Sequence, residues 1–280
     1  MPRDLLPLVR QTLADRYAVE REIGHGGAAR VFLAHTPEGR KVALKILRPE
    51  LAVTVTADRF LREIRLIRKL DHPNIAGILD DGERDWLVYF VMPFVEGPSL
   101  QAYLAKYRRL AVEDAVRLAQ DLLSALAHAH DHGVVHRDVK PDNVMLAPKG
   151  AVLVDFGIAR AIALSGSDRL TRSGITVGTS SYMSPEQILG VTELDLRTDL
   201  YSAGCVLFEC LAGRPPFKHP NESLVLRQHM NDAPPDLRQF APDVPPGYRT
   251  AVLGALGKRA EDRWASAREM LDALGEGEEE

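Results

Sequence analysis

The sequence has little cysteine. Cys205 and Cys210 are the only two in 280 residues, and both lie in one apolar segment. If that segment is a helix, their side chains point to different faces, which argues against a disulfide between them. We therefore expect two buried thiols in the reducing environment of the cytoplasm.

Long apolar runs and a strong charge are also lacking in the sequence. Stretches such as residues 203–208 are far too short to span a bilayer, and residues 1–4 lack the apolar core of a signal peptide. The formal net charge is only −4, with no basic patch interleaved with aromatics, so we do not expect nucleic-acid binding. With 45% apolar and 26% charged residues, the chain can bury a sizeable core, as one large domain or two lobes.

The most informative stretch is residues 136–143, His-Arg-Asp-Val-Lys-Pro-Asp-Asn. It places a carboxylate, an ammonium and an amide close together, at Asp138, Lys140 and Asn143, and a further carboxylate follows at Asp155. These groups are suited to holding a metal–nucleotide beside a nucleophile.

Two short apolar runs separate Asn143 from Asp155. Residues 144–146 and 152–154 frame a turn at 148–150, which predicts a β-hairpin. Such a hairpin would bring its two polar ends to the same rim, where amide and carboxylate oxygens suit Mg²⁺.

A glycine-rich stretch, Gly24-x-Gly26-x-x-Ala29, lies near the start of the chain. Alone it fits a dinucleotide-binding fingerprint as well as a kinase phosphate loop. The dinucleotide fingerprint opens a helix, whereas here a strand-like run at 31–34, a turn and a second strand at 41–47 predict a hairpin. The hairpin favours a kinase-type phosphate loop.

Lys45 shares one face of the second predicted strand with Ala43, the face that would look under the glycine loop. The helical periodicity of residues 57–70 places Glu63 on the flank of the apolar stripe, where an unpaired charge would be costly. This position favours a pairing of Glu63 with Lys45 that resembles the ion pair of active kinases.

Together, these motifs resemble those of the protein kinase family, in the eukaryotic-like serine/threonine form found in bacteria. The resemblance covers about residues 17–270. The Gly26-Gly27 pair, the Ser-Pro-Glu-Gln run at 184–187 and Lys140, two residues after Asp138, match that form.

The resemblance implies an α+β, bilobal fold with a small, mainly β N-lobe containing one key helix and a larger helical C-lobe. The expected bounds are an N-terminal lead-in at 1–16, an N-lobe at 17–92, a hinge at 93–97, a C-lobe at 98–275 and an acidic tail at 276–280. The lead-in reads as a short helix interrupted by Pro7.

The implied reaction is transfer of the ATP γ-phosphoryl group to a serine or threonine hydroxyl of a protein. Asp138 would accept the hydroxyl proton, Lys140 would neutralise the transferring phosphoryl, and Asn143 and Asp155 would hold Mg²⁺, for which Mn²⁺ can substitute.

Lys45, fixed by Glu63, would grip the α- and β-phosphates. The positions that the resemblance assigns to ATP binding are Gly24, His25, Gly26, Gly27, Ala28, Ala29, Val31, Ala43, Lys45, Met92, Pro93, Val95, Met145 and Asp155. Pro93 stands where the family usually has a residue with a backbone N–H. Adenine needs only a carbonyl acceptor there, which proline keeps.

Residues 155–186 resemble an activation segment and are rich in hydroxyl groups. Thr171 lies eight residues before Thr179, the spacing of the activating threonine in bacterial relatives, and Ser173 matches a second hydroxyl. Arg137, directly before Asp138, supplies a cation that a phosphate could bind. We expect autophosphorylation at Thr171 and Ser173 to switch activity on.

Three further expectations concern the predicted C-lobe. By resemblance, Asp199 braces the backbone of the catalytic loop, and Arg263 pairs with Glu186. Trp264 departs from the commoner proline. The predicted helix 111–132 carries histidines at 128, 130 and 132, which are candidate metal ligands. No companion cysteine or carboxylate pattern supports a metal site there.

The expected partners are ATP and protein substrates, including the chain itself. No nucleic acid and no membrane segment are expected, and a homodimer is left open. The implied location is cytoplasmic, either as a soluble kinase or as the cytoplasmic part of a longer membrane kinase.

A pseudokinase scaffold is the main alternative function. Pseudokinases usually lose one of four residues that this chain keeps, namely Lys45, Asp138, Asn143 and Asp155. A small-molecule kinase is disfavoured by the Ser-Pro-Glu segment and the hydroxyl-rich loop.

Overall fold

The computed structural model describes residues 5–26, 29–47, 61, 64–85, 87–156 and 179–275, with only the backbone described at 179. These residues divide into two compact units. The first contains the described residues up to Asp71 together with Ala76–Val95. The second contains His72–Ile75, Glu96–Phe156 and the described residues from 179 onward.

The first unit is built on a five-stranded antiparallel sheet with the order β1-β2-β3-β5-β4. Its strands are β1 (Ala18–His25), β2 (Ala29–His35), β3 (Lys41–Leu47), β4 (Asp80–Arg84) and β5 (Leu87–Pro93). Both strands of the predicted hairpin are present as β2 and β3, paired from Ala29 with Leu47 to His35 with Lys41. The antiparallel sheet and the helical second unit confirm the predicted α+β fold.

Helix α1 (Leu6–Thr12) belongs to the first unit and packs on one face of this sheet. Val9 and Leu13 are fully buried there, in one cluster with Val42 and Leu44 of β3. The predicted interruption at Pro7 is wrong, because this proline lies in the first turn, where its lack of an N–H costs no hydrogen bond. The apolar side of α1 therefore covers the sheet face opposite Lys45.

Residues 64–67 are helical, as predicted. Ile64 and Ile67 are buried while Arg65 is exposed, which confirms the predicted apolar stripe for these residues. Most of the predicted helix 57–70, including Glu63, lies outside the described residues.

The second unit is mainly helical, with one hairpin. The hairpin strands are β6 (Val144–Ala147) and β7 (Gly150–Leu153), and the helices are α2 (Leu100–Tyr107), α3 (Val112–Asp131), α4 (Pro185–Ile188), α5 (Arg197–Ala212), α6 (Glu222–Asn231), α7 (Pro246–Ala255) and α8 (Ala267–Gly275). Short 3₁₀ turns include Pro141–Asn143 and Thr179–Tyr182.

Helix α5 is the core of this unit, buried along nearly its whole length. It ends at Gly213, whose left-handed φ of 69° suits glycine. Cys205 and Cys210 on this helix are buried free thiols, as predicted, and burial raises the pKa of both. Thiols of this kind are poor nucleophiles.

The long helix predicted at 111–132 from its apolar spacing is confirmed as helix α3. His128 and His132 lie on one face, with ring centroids 4.4 Å apart, and His72 lies 5.2 Å from His128. Within the described ranges, no group of three histidine, cysteine or carboxylate side chains could hold a metal ion. No described helix is both long and apolar enough to cross a bilayer.

Candidate active site

The catalytic groups predicted at residues 138–143 come together around one carboxylate. The Lys140 ammonium Nζ donates to Asp138 Oδ2 at 2.7 Å. The Asn143 amide Nδ2 donates to the same oxygen at 3.0 Å and to the Asp138 carbonyl at 2.7 Å. A cation and an amide thus hold the Asp138 carboxylate in one orientation.

The backbone before Asp138 is braced from helix α5. The fully buried Asp199 accepts from the N–H of His136 through Oδ2 and from the N–H of Arg137 through Oδ1, both at 2.7 Å. His130 Nε2 lies 2.9 Å from Asp199 Oδ2. The brace expected from Asp199 is therefore present.

The β6–β7 hairpin brings Asn143 and Asp155 to one end, as predicted. Val144 pairs with Leu153, and the next hydrogen bond, from Val154 N to the Asn143 carbonyl at 2.9 Å, closes the open end. The turn is shorter than predicted, since Gly150 already belongs to β7 and pairs with Ala147.

These two residues fit a divalent metal ion by the chemistry of their donors. Both hydrogen bonds of the Asn143 side chain are donated by Nδ2, so neither uses its oxygen Oδ1. Asp155 adds a carboxylate. Hard oxygen donors of this kind suit Mg²⁺ better than metals that prefer nitrogen or sulfur.

In the first unit, the register of the sheet places predicted nucleotide-binding residues on a common face. Gly24 pairs with Val31, Val31 with Lys45, and Ala43 with Met92. Residues directly opposite in an antiparallel sheet project from the same face, and residues two apart on one strand do so as well. Lys45 is half-buried on this face.

The ends of the predicted phosphate loop are joined by a hydrogen bond from Gly26 N to the Ala29 carbonyl at 2.9 Å. His25 and Gly26 are exposed. The assigned positions Gly27 and Ala28 lie outside the described residues, as does Glu63, so the pairing of Lys45 with Glu63 stays a prediction.

The predicted hinge begins at the end of a strand. Pro93 is the last residue of β5 and pairs with Val42. Val95 is the last residue of this part of the first unit.

In the second unit, residues 97–99 run alongside β6. Leu146 N donates to the Pro98 carbonyl at 2.9 Å, and Ser99 bridges to Met145. Gly97 has a φ of 129°, and a Cβ there would overlap the Leu146 carbonyl oxygen. Glycine is thus required at Gly97, where the chain passes close to the backbone of the strand that carries Met145.

Comparison with known sequences decides the family. The model of the protein kinase domain matches residues 17–271. The chain belongs to the protein kinase domain family.

Curated bacterial kinases are among its relatives. The probable serine/threonine-protein kinase SCO3848 of Streptomyces coelicolor is 41% identical over 92% of this chain and 39% of its own length. PknB of Mycolicibacterium smegmatis is 41% identical over 93% and 42%, and PrkC of Bacillus subtilis is 37% identical over 94% and 40%. The kinase family recognised from the sequence motifs is confirmed. The chain spans only about two fifths of the length of these relatives.

A solved structure confirms the kinase fold independently. A crystal structure of Rad53 in complex with AMP-PNP matches with a TM-score of 0.77, covering 94% of this chain and 66% of that one. The identity of 24% limits this likeness to the fold.

The pair expected between Glu186 and Arg263 of the kinase domain is present and bidentate. Arg263 Nη1 donates to Glu186 Oε1 and Nη2 to Oε2, each at 2.8 Å. Burial by itself would raise the pKa of the Glu186 carboxyl, but hydrogen bonds from Arg263 and Thr198 outweigh it and hold that pKa at about 2. Glu186 is therefore ionised at neutral pH.

Sequence reasoning overlooked two side chains near the catalytic loop of the kinase domain. Gln187 donates from Nε2 to the Arg137 carbonyl at 2.8 Å. Tyr182 donates to the carboxylate of Glu209, whose pKa burial raises. The Ser184–Gln187 spacing predicts a capping box. No local pattern predicts the hydrogen bond from Gln187 to Arg137, which lies 50 residues away in the sequence.

Proposed function

We propose that this domain is a serine/threonine protein kinase that transfers the γ-phosphoryl group of ATP to hydroxyl groups of proteins. The observation that carries the proposal is the convergence of Lys140 and Asn143 on Asp138 Oδ2. The names of the bacterial relatives support the same activity. Because those proteins are much longer, the activity is proposed for the kinase domain alone.

Asp138 acts as the base. Its carboxylate accepts the proton of the substrate hydroxyl as that oxygen bonds to the γ-phosphorus, and the bond from the γ-phosphorus to the β–γ bridging oxygen breaks with its electron pair leaving on ADP. The Lys140 ammonium, 2.7 Å from this carboxylate, lies where it can neutralise charge on the transferring group. Asn143 keeps Asp138 aimed during the transfer.

The domain binds ATP with a divalent metal ion, and Asn143 and Asp155 are the proposed metal ligands. Mg²⁺ held by these two residues would supply positive charge that offsets the negative charge of the phosphates. We propose Mg²⁺ as the ion, with Mn²⁺ as a substitute, because oxygen donors of this kind suit both metals. The Rad53 structure with AMP-PNP supports nucleotide binding by this fold.

The first unit supplies the remaining nucleotide contacts. Lys45 grips the α- and β-phosphates and is fixed by Glu63. Backbone amides of the loop 24–29 cover the phosphates. Adenine binds at Met92, Pro93 and Val95, where the Pro93 carbonyl accepts and the Val95 N–H donates. A kinase needs the ATP pool of the cytoplasm, so we propose a cytoplasmic location for the domain.

The test is to incubate the purified chain with Mg·ATP and a mixed protein substrate, and to map phosphorylated residues by mass spectrometry. We expect phosphate on serine and threonine only, in substrate and in the chain itself, and none with Asp138→Asn. Nucleotide binding without any transfer would instead identify a pseudokinase scaffold. Sedimentation of the same sample measures whether the chain forms a homodimer.

A further inference from the structure

We propose that Gln187 is a positioning residue for Asp138, linking the Ser-Pro-Glu-Gln segment to the catalytic loop by one hydrogen bond. The inference rests on the proposed function and deepens the account of the same site. Gln187 Nε2 donates to the Arg137 carbonyl at 2.8 Å, and that carbonyl belongs to the peptide group joining Arg137 to Asp138.

This peptide group is held from both sides. Its carbonyl accepts from Gln187, and its N–H, that of Asp138, donates to His136 Nδ1 at 3.2 Å. The preceding peptide is fixed by Asp199, which accepts from the Arg137 N–H at 2.7 Å. Because the Asp138 Cα follows this peptide directly, rotating the peptide would move the Asp138 carboxylate.

The backbone conformation at Arg137 is one that must be held in place by surrounding contacts. Its φ of 68° lies in the left-handed region, which a side chain other than that of glycine adopts only at an energetic cost. Such conformations persist where surrounding contacts over-determine them. Asp199 supplies one of those contacts from helix α5, and Gln187 supplies another from helix α4.

The orientation of the Gln187 amide is itself fixed. Its Oε1 accepts from the Ser184 N–H at 3.0 Å, and the fully buried Ser184 hydroxyl accepts from the Gln187 N–H at 3.3 Å. This capping box starts helix α4 and turns the donor Nε2, rather than the acceptor, toward the Arg137 carbonyl. Formation of the start of α4 and alignment of Asp138 are therefore coupled through a single side chain.

The substitution Gln187→Glu separates the role of Gln187 in the capping box from its role as a donor to the Arg137 carbonyl. The variant keeps the size of the side chain and an acceptor for the Ser184 N–H, but a carboxylate cannot donate to the Arg137 carbonyl. We expect kcat to fall roughly tenfold to a hundredfold, the range for loss of a group that orients a catalytic one, while the KM for ATP stays unchanged.

The pH profile distinguishes positioning from a structural defect. The carboxyl of Gln187→Glu would face the Arg137 carbonyl oxygen in a half-buried position, which should raise its pKa above the ordinary value of about 4.3. Once protonated, this carboxyl regains a donor, so the kcat of the variant relative to wild type should rise as pH is lowered from about 8 toward 5.5. Gln187→Met removes donor and acceptor alike, and its relative kcat should stay low and flat. Gln120→Glu, which places the same charge on the exposed face of helix α3, should match wild type throughout.

Each outcome decides something. An inactive wild-type chain refutes the proposed kinase function and not this coupling. An active wild type with Gln187→Glu at wild-type kcat overturns the positioning role, as do identical pH profiles for the Glu and Met variants. If thermal melting shows that Gln187→Glu is unfolded, folded Gln187→Met decides alone, because wild-type kcat in it would also overturn the proposal.

Discussion

Arg263 is a buried cation in which every guanidinium N–H has an acceptor. Besides the two bonds to Glu186, it donates to the carbonyls of Gly257, Arg197 and Lys258 at 2.8, 3.0 and 3.1 Å. Its guanidinium also lies 4.8 Å from the centroid of the Tyr201 ring. This side chain alone therefore joins several separate stretches of the second unit.

Arg263→Ala should lower the free energy of unfolding by about 3–5 kcal/mol, because it leaves the largely buried Glu186 carboxylate without its cationic partner. Urea denaturation measures the change. Arg268→Ala is the matched control, since its pair with Asp131 joins side chains that are 67% and 61% exposed, and it should change little. Equal losses in the two variants would refute the special role of Arg263.

The Glu186 pair also predicts a pH dependence. The pKa of this carboxyl is about 2 in the folded chain, against an ordinary value of 4.5. A lowered folded-state pKa means that the stabilisation is fully present above pH 4.5 and is lost as pH falls toward 2. The difference in stability between wild type and Arg263→Ala should therefore shrink over that interval in acid titrations.

Asp155 is the most direct test of the proposed metal ligands. Asp155→Asn should cut phosphoryl transfer by roughly 10²-fold or more, the scale for losing one preorganised electrostatic group. Thermal stability without nucleotide should survive, while the stabilisation by Mg·ATP should weaken. The exposed substitution Asp131→Asn serves as the charge-matched control. Near wild-type turnover with Mg·ATP in Asp155→Asn would remove this residue from the mechanism.

Side chains were predictable where their partners follow within a few residues. Asp138, Lys140 and Asn143 lie in one loop, so spacing alone brought them together. Only the family resemblance predicts the pair between Glu186 and Arg263. The bond from Gln187 to Arg137 was not anticipated, because nothing in a local pattern encodes a contact made by folding distant segments together.

At the scale of elements, helix α1 is an integral part of the first unit. Leu13 is fully buried in the cluster that α1 forms with the sheet. Leu13→Ala should destabilise the chain by about 2–5 kcal/mol through loss of apolar contact and the cavity left behind. Gln11→Ala, on the exposed side near the end of α1, is the control, and urea midpoints compare the two. Equal midpoints would mean that α1 does not stabilise the sheet.

The Trp264 side chain packs against helix α7 at Gly254. The indole Nε1 donates to the Ala251 carbonyl at 2.9 Å, and a Cβ at Gly254 would overlap the ring, 2.8 Å from the same nitrogen. Gly254→Ala should therefore cost about 1–3 kcal/mol from overpacking, although alanine favours helix. In a Trp264→Leu background the cost should disappear. A cost that persists in that background would place its cause elsewhere.

The elements themselves were largely predictable from periodicity. The β2–β3 hairpin and helix α3 have strong alternating or helical apolar patterns, and the structure has both within a few residues of the predicted bounds. At Trp264 the sequence shows only a departure from the commoner proline, because the indole fits a space opened by Gly254, ten residues earlier. For helix α1 the sequence indicates only a lead-in, since one or two amphipathic turns do not show which surface the helix covers.

At the scale of the whole molecule, we predict that phosphorylation of Thr171 and Ser173 switches activity on. Both residues lie outside the described part of the chain. Phosphate brings about −1.5 to −2 charge and three acceptor oxygens, which Arg137 and nearby arginines would attract. Activity should rise roughly five- to a hundredfold, the range of one regulatory coupling.

Expression with and without a serine/threonine phosphatase tests this switch, with kcat measured on each preparation. Thr171→Ala combined with Ser173→Ala should keep the low rate in both preparations. Ser165→Ala combined with Ser167→Ala, which removes two hydroxyls from the same segment, should respond as wild type does. A phosphatase-treated wild type as fast as the phosphorylated form would exclude the switch.

The burial of both cysteines makes the chain a convenient host for thiol-directed labels. With Cys205 and Cys210 enclosed in helix α5, a maleimide dye should leave the native chain unmodified and react only at cysteines introduced on the surface. Exposed positions such as Gln11 in the first unit and Gln120 in the second could then carry a donor and an acceptor fluorophore. Energy transfer between the dyes would follow the separation of the two units as nucleotide is added, without first removing any native residue.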